Sequence, residues 1–309
     1  GGEEPIALEL TPAEEPPRVP FERLREEAAA LAEEVPGVVG MHVIDLASGE
    51  TVGLNDRTVF AGASTIKTAV MLFLYIHQEE FTERQTFWLN EMIRFSDNLS
   101  ANDLLATAIG GQTTEDAFVA ADMMSTMLQE ELGLRHTYLY VPYETTDFIK
   151  LYKPKYRCGP QGRVGEPPYT EMGACLRAEP ASMARLYQLI DQCANGEGEL
   201  LELYERLSPE RCQEMLDWLA KNGDKTRMVA GIPEGVRVEH KSGWIEDLSA
   251  DVGIVRSPGG DYVLALYYYR PLDGKRDYWP EEVLSPVVAA FSHLVYTAYN
   301  PVSAEALGR

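Results

Sequence analysis

The sequence predicts an α/β protein of the α+β kind with two lobes. One is an antiparallel sheet flanked by the terminal helices, and the other is all-helical. Three observations predict it. Residues 38–54 and 236–269 carry β-rich, partly alternating runs broken by turn residues, as strands of a half- or fully buried sheet do. The stretch between them, about 62–221, instead reads as mainly helical. Amphipathic helical patterns stand at each end of the chain, at 20–35 and 281–299. The expected division is a sheet lobe of residues 21–61 and 222–309 and a helical lobe of 62–221, the two making one domain over 21–300. Residues 1–20, rich in Glu and Pro, are expected to be a flexible N-terminal tether.

Taken in order, Phe21, Leu24, Ala28 and Leu31 form one face of the first helix, which Pro36-Gly37 ends. Strands over 38–46 and 51–54, joined by Ala47-Ser48-Gly49-Glu50, form a hairpin. A helix starts near Ser64, and others close at Phe95, span 100–109 up to Gly110-Gly111, and span 113–131 up to Gly133. Residues 137–178 show no period and read as a long loop, which inside a compact domain is usually functional. Helices resume over 181–193 and 209–220. Strands follow over 236–242, 250–255 and 262–269, the last two joined at Ser257-Pro258-Gly259-Gly260.

Composition excludes several classes. The 309 residues carry 27 Lys and Arg against 49 Asp and Glu, a formal charge of −22, which argues against nucleic-acid or anionic-membrane partners. No apolar run reaches the length of a membrane-spanning helix, the longest being residues 69–76. Cys158, Cys175, Cys193 and Cys212 form no Cys-x-x-Cys pair and no His clusters with them, so neither a metal site nor a cofactor is expected. Of three connectivities the natural one joins neighbours, Cys158 with Cys175 and Cys193 with Cys212, which suits an exported chain; four free thiols in a cytosolic one is the other reading.

The chemistry centres on Ala61-Gly62-Ala63-Ser64-Thr65-Ile66-Lys67, which runs into an apolar helix. Ser64 sits at the first turn, where free backbone N–H groups favour developing negative charge. Lys67 lies over the same face. A lysine in apolar surroundings gives up its proton readily and can deprotonate a serine, so the two are a nucleophile and its base. Downstream, Ser96-Asp97-Asn98 falls between helices, and Lys241-Ser242-Gly243, with His240 before and Trp244 after, falls at a strand end. Singly, each motif also fits a blander role: helix caps for the first two, a solvated strand end for the third.

Together, in this order and context, the three motifs resemble the signature of penicillin-recognising serine enzymes, and more closely the class A serine β-lactamase family. Residues 96–105, Ile109-Gly110-Gly111 and residues 179–184 resemble family helices, and the likeness runs from about residue 20 to 300. The resemblance implies Ser64 as the acylated nucleophile, Lys67 as its proton acceptor and Ser96 as proton relay to the leaving nitrogen. It implies Asn98 as a holder of the substrate amide, Lys241 and Ser242 as partners of a substrate carboxylate, and Arg227 as a further carboxylate ligand. Gly243 would allow close approach, and the backbone N–H groups of Ser64 and Trp244 would form the oxyanion hole. The family's Glu-x-x-Leu-Asn loop, whose Glu activates the deacylating water, is missing. Aligned without gaps, Tyr143 stands at that Glu and Glu144 one place on, with Glu166 and Glu171 as remoter candidates. In this the chain resembles β-lactamase-related serine hydrolases without an assigned role more than resistance enzymes. Trp244, at a position small in many relatives, is expected to narrow the site.

The expectation is therefore an exported, monomeric serine hydrolase acylated at Ser64 by β-lactams or related amides, with Glu144 as the candidate water activator and slow deacylation. The alternatives are a D,D-peptidase or esterase of cell-wall metabolism, and a penicillin-binding or sensor domain without turnover.

Overall fold

A computed structural model of the chain describes residues 18–169 and 173–302. The expected tether falls largely outside the described residues. In chain order the elements are α1 (Phe21–Glu33), β1 (Val38–Asp45), β2 (Thr51–Leu54), β3 (Phe60–Ala61), α2 (Lys67–His77), α3 (Glu83–Arg94), α4 (Asn98–Ala108) and α5 (Thr114–Thr126). They continue with β4 (Tyr138–Leu139), α6 (Thr146–Tyr152), β5 (Leu176–Ala178), α7 (Pro180–Ala194), α8 (Glu199–Leu203) and α9 (Pro209–Leu219). Last come β6 (Arg237–Ile245), β7 (Leu248–Ser257), β8 (Gly260–Tyr269) and α10 (Glu281–Tyr299).

The main sheet is antiparallel in the order β2-β1-β8-β7-β6, so the hairpin from the start of the chain joins the meander from its end through β1 and β8. Side-chain alternation sorts β8 into two cores. Tyr262, Leu264, Leu266 and Tyr268 face α1 and α10, where they meet Leu24, Ala28, Leu284, Val288 and Phe291. Val263, Ala265, Tyr267 and Tyr269 face the other way, toward α2 and α7. With both faces covered, a long apolar run is what such a strand requires. α2 is buried along almost its whole length and is the helix around which α3, α4, α5 and α9 gather. This is the two-lobe α/β arrangement the sequence predicts.

Away from the Ser64 turn the structure departs from expectation in three places. The helix expected over 113–131 ends at Thr126 and continues as a wider π turn, Met127–Glu131. Just before it, the Ser125 hydroxyl donates to Ala121 O and accepts from Leu139 N, which docks β4 against the helix end. The loop over 137–178 holds α6 and the short strands β4 and β5, which with β3 form a second sheet in the order β3-β5-β4. Strands of two or three residues carry no readable period. The five-residue α8 is illegible for the same reason.

The cysteines pair as neighbours. Cys158–Cys175 ties the 137–178 segment to itself beside β5, and Cys193–Cys212 joins α7 to α9. The second bridge is fully buried between two helices and closes a loop of sequence separation 19. Replacing both of its cysteines by Ser is expected to lower unfolding stability by about 2–4 kcal/mol. Urea unfolding of the variant checks this, and an unchanged midpoint would contradict it.

Candidate active site

Ser64 lies not in α2 itself but in a one-turn 3₁₀ helix, Ala63–Ile66, that leads into it. This corrects the expected helix start and explains the pairing that follows. In a 3₁₀ turn side chains three apart eclipse one another, so Ser64 and Lys67 stand face to face. The Lys67 Nζ is 3.0 Å from Ser64 Oγ. Ala63, just before, has a left-handed backbone (φ 46°) that aims the turn into the cleft. The Thr65 hydroxyl donates to Gly62 O and meets the Tyr267 hydroxyl of β8 at 2.7 Å, which anchors the turn to the sheet.

Lys67 is fully buried and lies near four oxygens. Besides Ser64 Oγ, these are Ser96 O at 2.5 Å, Asn98 Oδ1 at 2.7 Å and Ser96 Oγ at 3.3 Å. Burial, helped by the charge of Lys241, pulls its pKa down to about 6, against the opposing pull of Asp97 and Glu144. A neutral amine has two N–H groups and one lone pair. Ser96 O and Asn98 Oδ1 are acceptors only, so they take the two N–H groups, and the lone pair is left for the proton of Ser64.

Ser96-Asp97-Asn98 divides its labour. Asp97 caps α4, its carboxylate accepting from Ser100 N at 2.6 Å, so the bland reading of the motif holds for that residue alone. Ser96, held at φ 60°, turns its carbonyl and hydroxyl toward Lys67, and Asn98 turns its amide oxygen there too. The Ser96 hydroxyl also accepts from Lys241 Nζ at 2.9 Å and so bridges the two lysines. Lys241 is fully buried in β6, and its second bond goes to Ser242 O at 2.9 Å. Burial lowers it to about 8, with Asp251 and Asp224 opposing the shift.

Beneath Lys241 the fully buried Asp251 of β7 accepts from His240 Nδ1 at 2.9 Å and from Met228 N at 3.1 Å, joining two strands to the segment that follows Arg227. Gly243 lets β6 pass against the 3₁₀ turn: a Cβ there would lie 2.7 Å from Ser64 N. This close approach brings the amide after Gly243 to the neighbourhood of the Ser64 amide. Trp244 is partly exposed, with its ring edge-on to Tyr278.

An open cavity of about 470 Å³ runs from Ser64 and Ser96 along Lys241–Trp244 to Asp224, Arg227 and Glu281. Arg227 is in its wall, but its guanidinium is already engaged. It is paired with Asp224, lies 3.1 Å from Glu281 Oε1, and donates to Ser249 Oγ at 2.8 Å. Burial works against the ionised form of Asp224. The Arg227 charge, the Thr226 amide and the Ser242 and Thr226 hydroxyls outweigh it and hold this carboxyl well below the usual range. Asp224 and Glu281 were not legible as site residues: one looks like a turn residue and the other like a first-turn helix acid. Only the i, i+3 spacing of Asp224 and Arg227 hints at their pair.

Tyr143 lies with its ring 4.5 Å from Lys67 Nζ and donates from its hydroxyl to Ala63 O at 3.0 Å. Burial drives its phenol pKa up, so it stays protonated. Asn102 clamps its backbone twice, donating to Tyr143 O at 2.7 Å and accepting from Tyr143 N at 2.9 Å. Glu144, also left-handed at φ 54°, is exposed and accepts from Asn98 Nδ2 at 2.8 Å. Glu166 faces Arg163 on the surface, and Glu171 lies outside the described residues. Among the described residues no group of His, Cys, Asp or Glu is placed to hold a metal.

A family model described as the beta-lactamase enzyme family matches residues 23–86 and 80–298. Solved structures share the fold. A mutant of PBP-A held as an acyl-enzyme with penicillin G has 21% identity, covers 93% of this chain and 100% of its own, and superposes with a TM-score of 0.65. PBP-A itself follows at 22% identity, 93% and 100% coverage, and a TM-score of 0.64. An ancestral class A β-lactamase follows at 21% identity, 89% and 99% coverage, and a TM-score of 0.63. No curated protein matches the chain. The family match spans nearly the whole described chain, and the chain belongs to the β-lactamase enzyme family, with the class A fold.

Proposed function

We propose that the protein is a serine acyl-transfer hydrolase that opens β-lactams or related amides at Ser64 and releases the product slowly. The observation that carries this reading is the desolvated Lys67 amine, 3.0 Å from the Ser64 hydroxyl with its lone pair free.

In the forward step the Ser64 oxygen attacks the carbonyl carbon while its proton passes to Lys67 Nζ. The negative charge that develops on the carbonyl oxygen falls at the first turn, toward the Ser64 and Trp244 amides. The amide C–N bond then breaks. The leaving nitrogen takes a proton from the Ser96 hydroxyl, which is replenished from Lys67 through the contacts that Ser96 Oγ makes to both lysines. Asn98 and Lys241 position the donor.

Deacylation needs a base on a water beside the ester. Tyr143, a protonated phenol clamped by Asn102, stands in the ungapped alignment at the family's Glu, and Glu144, one place on, accepts from Asn98. Losing one general base costs about 10²–10⁴-fold in rate. The two disulfides support export, since such bridges persist in oxidising compartments. No helix among the described residues is long and apolar enough to cross a membrane.

Intact-protein mass followed over time with benzylpenicillin tests the proposal. A gain of one penicilloyl group, absent in Ser64→Ala and persisting for many minutes, is the expected result. Rapid loss of the adduct with product accumulating would overturn slow release. Equal labelling of Ser64→Ala would overturn the nucleophile.

A further inference from the structure

Of the two cations that would receive a substrate carboxylate, Arg227 is already paired with carboxylates of the chain itself, and Lys241 feels Asp251 and Asp224 through space. Arg227 is 5% exposed and contacts both Asp224 and Glu281. Asp224 also accepts from the Thr226 amide and hydroxyl at 2.7 and 2.9 Å, so its place is fixed by bonds other than the ion pair. It shares the cavity wall with Ser242 and Lys241. The wall thus holds two carboxylates, the largely buried Asp224 and the half-exposed Glu281, against two buried cations, Arg227 and Lys241. Arg94 and Lys225 line the same cavity but are exposed at its rim, where water and salt screen them.

A substrate carboxylate entering beside Lys241 would make a third negative charge in this ring, close to Asp224. Like charges brought together in a partly desolvated site carry a heavy penalty. A donor with an uncharged ester or carboxamide there adds no charge to the ring, and its carbonyl can accept the third N–H of Lys241 Nζ, the other two going to Ser96 Oγ and Ser242 O.

We infer that Asp224, held by Arg227 and Thr226 in the wall beside Ser242, makes this site select acyl donors whose group next to the scissile amide is uncharged, such as an ester or carboxamide, over those carrying a carboxylate. This rests on the Ser64 acyl-transfer reading and names the substrate class within it. Asp224 is the specificity-determining residue, and Glu281 supports it by sharing Arg227.

The test compares benzylpenicillin with its methyl ester as acylating agents of the full chain, with Ser64 labelling followed by intact mass. The ester is expected to label at least about tenfold faster than the acid. In Asp224→Asn, which keeps an acceptor for Thr226 but frees Arg227, the ester-to-acid ratio is expected to fall about tenfold or more. Glu281→Gln is expected to move the ratio in the same direction by less. An acid that labels the parent as fast as the ester overturns the inference, whether or not the variants fold. A ratio unchanged in a folded Asp224→Asn also overturns it. If neither compound labels Ser64, the acyl-transfer reading falls, and this inference with it. Labelling by both without preference sinks only the inference.

Discussion

Replacing Lys67 by Met is expected to slow acylation of Ser64 by about 10²–10⁴-fold. Methionine fills nearly the same volume and carries no charge, so the burial that disfavours an ammonium in this place becomes an asset to the variant rather than a strain. What disappears is the lone pair facing the Ser64 proton. The pH profile separates this from a packing effect. Lys67 must be neutral to act, and burial holds its pKa at about 6, so the parent rate rises with pH through that value. Lys241 acts as a cation and is held at about 8, so the rate falls again as pH passes that value. The parent therefore has its best rate between the two, and Lys67→Met loses the low-pH limb. Acylation rates from pH 5 to 9 by rapid quench and mass decide it. A flat parent profile, or a variant that keeps the rising limb, would remove Lys67 from its role.

Removing Asp251 is expected to have the largest effect on the fold. Its carboxylate is completely buried and serves His240, the Met228 amide and, through space, Lys241. Asp251→Ala leaves the His240 donor and the Met228 N–H buried without their acceptor. Each buried donor left without its acceptor costs about 1–3 kcal/mol. It also acts on the chemistry with a predictable sign. Asp251 opposes the lowering of Lys241, so without it Lys241 loses its proton at lower pH, and the falling limb of the acylation profile moves below 8. Asp251→Asn, which keeps an acceptor, should recover much of the stability while still shifting the limb. Urea unfolding and the pH profile of both variants check this, and a limb that stays in place in Asp251→Asn would contradict it.

The element order and most of the site were readable from sequence because both depend on local pattern. Ser64 and Lys67 are three apart, and helical geometry alone brings them together. Ser96 and Asn98 flank a helix cap, and Lys241 to Trp244 lie on one strand end. What sequence could not supply was the state of those groups once assembled. Arg227 is legible as a cation, but that Asp224 and Glu281 hold it depends on a turn meeting the start of the last helix across the cavity. Tyr143 is legible as a replacement for an acid, but not as a ring packed on Lys67 and clamped by Asn102 from another helix. The small sheet of β3, β4 and β5 leaves no mark in the sequence because its strands are too short for a period and its pairings join distant segments.

The pairing of β1 with β8 runs from Val38↔Tyr269 to Asp45↔Tyr262, across more than two-thirds of the chain. It has a consequence for how the molecule comes into being. A chain emerging from its amino end exposes β1, with one side paired to β2 and the other open, until β8 has been made. α1 likewise waits for α10 to cover its apolar face. Contacts this far apart in sequence close late and slowly. The helices from α2 to α9 can gather earlier, but the Ser64 turn leans on Tyr267 and Gly243, both of which arrive with the last strands. A reactive serine is thus assembled only once β8 has been made, and a chain cut short before β8 carries an open apolar strand edge and a Ser64 turn without its anchor on the sheet, a product suited to aggregation and clearance rather than to partial activity.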